Sequence, residues 1–374
     1  MASLALRNLF HDKIRLAVTV IGVQFAVVLI VVELGLFFGF TETTATVINH
    51  SKADLWVASN NVPYLELGVP FKERKLYQVK VVAGVADSEK LIVRGTRWNR
   101  RDGAQEAIEI VGFNPDGAMG GPWDLVQGSV RDLQIPGGVI LDELYKKKLG
   151  VTRIGEEFEI NGHRARVVGF THGIRSFTTS PFVFTAFKNA QDYAPVREDQ
   201  TTFVLVKTAS GVSLDAVRRD ILSHVKDVTV LTTAEFSQRT QHYWTYTTGA
   251  GLAVLAAAVL GLIVGFVVVA QTIYATTMDH LKEFGTLKAI GAPNSYVYKV
   301  ILTQAAIAAV IGYSLGMVIG GLIVRFSEPI GITILMNWQI AVGTFIVTLL
   351  MCNGAALISI NKVTRLDPAM VFKG

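Results

Sequence analysis

Few residues in this chain have the type and spacing to do chemistry. Gly312-Tyr313-Ser314-Leu315-Gly316 fits G-x-S-x-G, the pattern that presents a nucleophilic serine on a sharp strand-to-helix turn. Here it lies within a continuous apolar run with no strand before it, and no apolar run contains the histidine that such a serine would need. There is no G-x-x-x-x-G-K-[ST] to cradle phosphates and no H-E-x-x-H. His163 and His172 are isolated, and Cys352 is the lone cysteine, so neither a metal site nor an internal disulfide is expected. The expectation is a chain that is not an enzyme and that binds neither metal nor cofactor. No basic run with interleaved aromatics points to nucleic acid.

The composition says where these residues sit. Hydrophobic residues make up 51% and charged residues only 17%, with mean hydropathy +0.41. A soluble chain carries roughly 25% charged residues, so this one belongs in a membrane. Four apolar runs stand out: Leu16 to Phe40, Leu252 to Tyr274, Ile301 to Phe326 and Trp338 to Ile360. Each holds about 22 to 26 residues, enough for a helix to cross a hydrocarbon core of about 30 Å. The first run is too long for a leader peptide and lacks a small-x-small cleavage site, so it reads as a span. The fold class expected is therefore four transmembrane helices with a large extracytoplasmic mixed α/β domain inserted between the first and second.

Short basic segments orient the chain. Arg7, Lys13 and Arg15 precede span 1, Lys282 and Lys288 lie between spans 2 and 3, and Lys362, Arg365 and Lys373 follow span 4. The connection between spans 3 and 4 has only Arg325, beside Glu328. The expected order is a cytoplasmic amphipathic segment (1–15), span 1 (16–40), an extracytoplasmic domain (41–245), span 2 (249–277) and a cytoplasmic loop (278–296). Span 3 (297–327), a short outer loop (328–337), span 4 (338–360) and a cytoplasmic tail (361–374) complete it. In the first segment Leu6, Leu9, Phe10 and Ile14 share one helical side; this is either an interfacial helix or a basic anchor that sets topology.

Within the spans, small residues recur at four-residue steps: Ala253, Ala257, Gly261 and Gly265; Ala308, Gly312, Gly316 and Gly320; and Gly35 with Gly39. In lipid such faces let helix backbones approach closely, and three of them suggest a homodimer. Glu33 lies 18 positions past Arg15, about 27 Å along a helix. It is either a substrate or proton site or a carboxylate at headgroup level. Gln24 and Gln271 are expected to form interhelical hydrogen bonds.

The insert contains strand-like segments at Ala53 to Ser59, Ala107 to Phe113, His163 to Phe170 and Thr201 to Lys207. Leu214, Val217, Ile221, Leu222 and Val225 predict a helix behind Ser213, and Val228 to Leu231 a strand after it, together a small βαβ-type unit. Val79 to Gly95 suggests an earlier one. The Gly/Pro punctuation at Asn114 to Pro122 and Pro136 to Gly138 suggests a second subdomain of strands.

The most specific segment joins spans 2 and 3. From Asp279, "DHLKEFGTLKAIGAPNSYV" places Leu281, Phe284, Leu287 and Ile290 at three-residue steps among Lys282, Glu283 and Lys288, with Gly291 and Pro293 as a stop. That describes a short amphipathic helix shaped to sit in a partner's groove. The run "EFGTLKAIGA" (Glu283 to Ala292), then "SYVYKVILTQAA" (Ser295 to Ala306) and a Gly-rich third span, resembles the permease subunits of the MacB/FtsX/LolC class of ABC transporters. The opening Leu4 to Leu29 and the ending Thr364 to Gly374 look like the same class, and the separate-permease form is most similar to the DevC type.

The resemblance implies that two permease copies bind two ABC ATPase subunits, which hold the ATP and Mg. It also implies that Glu283, Phe284, Gly285, Thr286, Leu287, Lys288, Ile290 and Gly291 form the ATPase-contact segment. For the DevC type it implies a bacterial inner membrane location, with a periplasmic adaptor, a TolC-like outer-membrane channel and membrane lipid as further partners. The substrate would be a lipid, a glycolipid or another amphipathic compound. An FtsX-like transducer that activates an extracytoplasmic hydrolase, or a LolC-like lipoprotein-releasing role, fits the same spans.

Overall fold

The computed structural model describes residues 13–178, 180–327 and 332–364. Most of the expected amphipathic segment, part of the 328–337 loop and the tail beyond 364 lie outside them. The chain forms two compact units: Met1–Gly39 with Leu252–Gly374, and Phe40–Gly251.

Four helices of the first unit are long and apolar enough to cross a membrane: Leu16–Thr44, Ala250–Asp279, Asn294–Ser327 and Trp338–Ile360. The first three overrun their apolar runs, because a helix satisfies its own backbone through polar flanks as well as through lipid. Span 1 packs closely on spans 2 and 3. A Cβ on Gly312 would lie 2.6 Å from Val23 Cγ1, one on Gly316 2.7 Å from Val27 Cβ, and one on Gly320 3.3 Å from Val31 Cγ1. On span 2, a Cβ on Gly265 would lie 3.2 Å from Ala26 Cβ, and one on Gly261 3.2 Å from Glu33 Cγ and 3.3 Å from Leu29 Cγ. Ala257 is half-buried and Ala253 exposed.

The glycines of the ladders on spans 2 and 3 are therefore covered by span 1 of the same chain, and they no longer argue for a homodimer. Gly35 and Gly39 correct the expectation differently. They receive the non-helical segment before span 4: Leu335 N–H donates to Gly35 O at 2.9 Å, and Thr333 backbone lies against Gly39. Neither Gln24 nor Gln271 forms an interhelical hydrogen bond among the described residues. A polar cross-link joins Thr19 to Thr276, Oγ1 to Oγ1 at 3.0 Å, formed by short side chains that fit between close helices.

The second unit is built on strands β1 (Leu55–Ser59), β2 (Phe71–Lys72), β3 (Val85–Asn99), β4 (Gln105–Phe113), β5 (Leu125–Gln127), β6 (Gly138–Asp142), β7 (Glu157–Ile160), β8 (His163–Thr171), β9 (Phe182–Ala186), β10 (Gln200–Thr201), β11 (Phe203–Thr208) and β12 (Val228–Thr232). Among the described residues one sheet runs β12-β1-β11-β3-β4-β9-β6-β8-β5, with β7 on β3 and β8. The helix Leu214–His224 links β11 to β12 as expected, but β1 lies between them, antiparallel to both. Likewise the helix Arg74–Lys80 links β1 to β3 across β11. Both expected βαβ units are thus split, each closing around a strand of the other.

Leu55, Val57, Val204, Val206 and Val230 pack under the two helices with Leu76, Val79, Val217 and Ile221, while Trp56, Leu205 and Phe236 fill the opposite face. That two-sided burial explains the unbroken apolar run in β1. Leu214 and Leu222, counted in the expected apolar stripe, are instead exposed. The second subdomain is not a separate sheet, because β3 passes from pairing with β11 to pairing with β4 at Leu91 and Ile92.

Gly316→Leu should force spans 1 and 3 apart and cost about 1–3 kcal/mol. Gly321→Leu, whose Cβ position has nothing within 4 Å, should be neutral. Thermal unfolding of the purified full chain in detergent checks both, and equal melting points would refute this packing.

Candidate functional site

The segment between spans 2 and 3 folds as the helix Leu281–Ala289, with His280 as N-cap. Its stop is a Schellman turn. Gly291 sits at φ +97°, its N–H donates to Lys288 O, and Ala292 N–H donates to Leu287 O, both at 3.0 Å. Only glycine adopts that backbone without strain. Pro293 follows, and span 3 begins at Asn294.

This helix turns its apolar face toward its own chain. Phe284 is 2% exposed, in one core with Ile273 of span 2, Val297, Val300 and Ile301 of span 3, and Ala356 and Ile360 of span 4. Valines of span 1 complete the same core. Gly285 is buried and Leu287 half-buried against it. The expected contact segment therefore divides. Phe284 and Gly285 root the helix in the membrane unit and offer no surface to a partner in this conformation. Glu283, Thr286, Ile290 and Gly291 are exposed, and Lys288 is half-buried. Among the described side chains of the segment, Ile290, 80% exposed, is the large apolar one left outside. An amphipathic pattern requires that one face be covered but does not say by what, and here the spans cover it.

Behind the helix lies a small, mostly apolar cavity of ≈ 30 Å³ beside Ile273, Ile301 and Ala305, with Thr19, Thr276, Thr277, His280 and Gln304 supplying its polar groups. It has room for a water molecule. His280 is buried with Nδ1 3.0 Å from Glu283 Oε2, and its ring meets Phe284 at 6.4 Å.

The other candidates stay apart. Ser314 donates to Val310 O at 2.8 Å within the unbroken span 3 helix, so no nucleophile elbow forms. His163 is exposed, and His172 pairs with Glu143 at 2.6 Å, a hydrogen bond that raises its pKa. Among the described residues no group of three or more His, Cys, Asp or Glu could hold a metal.

Comparison with known proteins places this geometry. The family model described as MacB-like periplasmic core domain matches residues 16–223, and that described as FtsX-like permease C-terminal matches residues 239–368. The chain belongs to the MacB/FtsX class of ABC transporter permeases. An uncharacterised ABC transporter permease of Mycobacterium tuberculosis is 22% identical over 99% of both chains. The macrolide export ATP-binding/permease protein MacB of Bartonella henselae is 32% identical over 125 residues, 32% of this chain and 19% of that one. The periplasmic region of MacB from Actinobacillus actinomycetemcomitans aligns with TM-score 0.38 and 12% identity over 50% of this chain and 92% of that one.

As a MacB/FtsX-class permease, the chain is not itself an ATPase, and the class implies an ATPase partner. Within this permease, sequence reasoning missed His280 and the Thr19–Thr276 link. It also missed the valine stripe of span 1, although Val23, Val27 and Val31 repeat at the same four-residue step as the glycines they fill.

Phe284→Ala should cost about 3–5 kcal/mol by leaving a cavity, and Gly291→Ala about 1–2 kcal/mol by left-handed strain. Amides of 281–300 should then exchange with solvent at least about fivefold faster in both, while Ile290→Ala leaves them unchanged. Unchanged protection in Phe284→Ala would contradict the rooting of this helix.

Proposed function

We propose that the chain is the permease subunit of an ABC exporter that passes motion from a separate ATPase to its inserted domain. The observation that carries this reading is a helix rooted in the shared core of all four spans by Phe284, with Glu283, Thr286, Lys288 and Ile290 around its outward side. A push on such a helix moves the spans together, because core packing does not yield continuously. The positive-inside bias of Lys282 and Lys288 supports a cytoplasmic location, so both termini are cytoplasmic and the inserted domain extracytoplasmic.

Two permease copies would flank two ATPase subunits in the bacterial inner membrane, with ATP and Mg held by the ATPases. The inserted domain would work with a periplasmic adaptor and a TolC-like outer-membrane channel, as in the DevC type. It would act on a lipid, glycolipid or other amphipathic substrate from the membrane. Ile290, exposed and apolar, is the docking contact proposed in place of Phe284.

Ile290→Asp should lower recovery of the cognate ATPase in pull-downs more than tenfold and abolish transport, while melting of the permease alone stays within about 0.5 kcal/mol, as for an exposed site. Normal co-purification with full transport would refute the docking role.

A further inference from the structure

The inserted unit holds two carboxyls that its fold does not neutralise. Glu109 of β4 stands opposite Gly95 of β3, and the bridge between Leu67 and Arg94 brings the preceding loop, with Glu66, to the same place. Because Gly95 has no side chain, the Glu109 carboxylate can lie over it; a Cβ there would be 3.3 Å from Oε1. Glu109 Oε2 is buried with no hydrogen-bond partner among the described residues. The nearby cation, Arg94, directs Nη1 to Gly68 O at 2.7 Å.

Glu66 Oε2 accepts from Trp244 Nε1 at 3.4 Å. Around that contact Tyr64 stacks on Tyr243 at 4.2 Å, and Trp244 meets Tyr64 at 5.2 Å and Phe177 at 4.4 Å. Tyr243 and Trp244 open the π-turn Tyr243–Thr247, which precedes span 2 in the chain. Such turns cost regular hydrogen bonding and are common at sites that change shape.

We propose that Glu66 and Glu109 form a proton-operated latch on this turn. With protons bound, Glu66 takes the Trp244 N–H without a buried charge and holds the turn to the loop that carries Tyr64; the N–H itself favours the charged form, but burial outweighs it. When both release their protons to water, two like charges face each other among aromatic rings and the turn comes free. The groups facing the pair are Tyr64, Tyr243 and Arg94: burial raises the Tyr64 phenol above its ordinary value, and Arg94 offsets only part of the charge. Burial raises Glu66 to about 7, and burial together with the Glu66 charge raises Glu109 to about 8. Both lie above the ordinary value of 4.5. The latch's contribution is thus complete below pH 4.5 and is lost as pH rises through about 7 and 8. The latch does not depend on the export reading.

The test is ¹⁹F NMR of the full chain in lipid nanodiscs with 5-fluorotryptophan, the Trp244 signal being assigned by Trp244→Phe. It should shift between about pH 5 and 9, and Glu66→Gln/Glu109→Gln should hold it at its low-pH position throughout. The signals of Trp56 and Trp98, both in the core, report that each variant is folded. Glu66→Gln alone, which removes the neighbouring charge, should lower the midpoint that remains. A wild-type signal that does not move overturns the proposal, as does continued titration in the double variant or an unchanged midpoint in Glu66→Gln.

Discussion

Close approach of span 1 to spans 2 and 3 is the constraint from which the membrane unit follows. Lipid offers little hydrophobic reward for bringing two apolar helices together, so contact must come from fit. Val23, Val27 and Val31 supply ridges, and Gly312, Gly316 and Gly320 supply the groove. Beta-branched ridges suit this role because each holds one rotamer in a helix and loses little entropy on packing. With the helices that close, Thr19 can reach Thr276, and one core can extend from span 1 to the 281–289 helix.

That core decides how the 281–289 helix can act. A nine-residue helix is marginal on its own. Phe284 gives it a fixed seat at a contribution of about 1.5–3 kcal/mol, and the Schellman turn at Gly291 fixes where the chain leaves for span 3. Its outward surface is consequently presented at a set angle, which a partner can use.

Much of this was legible in the residues. Four apolar runs of spanning length, the strands at β1, β4, β8 and β11, and the glycine stop at 291 all followed from local pattern. What was not legible were choices among partners. Phe284 had to be covered, but its spacing fits a foreign groove as well as the chain's own spans. Gly35 and Gly39 mark close approach without saying that a non-helical segment, 333–335, makes it. Alternation of side chains in β11 and β12 cannot reveal that β1 lies between them, because that pairing is set by residues about 150 positions away. Glu66 and Glu109 are 43 positions apart in sequence and meet only through a bridge at Leu67 that has no signature of its own.

The 15-residue strand β3 belongs to both halves of the inserted sheet, pairing with β11 over its first part and β4 over its second. β11 ends its pairing at Leu91 and β4 begins at Ile92, so no residue is laddered to both, but one core with Trp56, Phe203, Phe113 and Phe184 spans the change of partner. Whatever tilts one half must carry the other with it, so this domain has the makings of a lever and not of a clamshell.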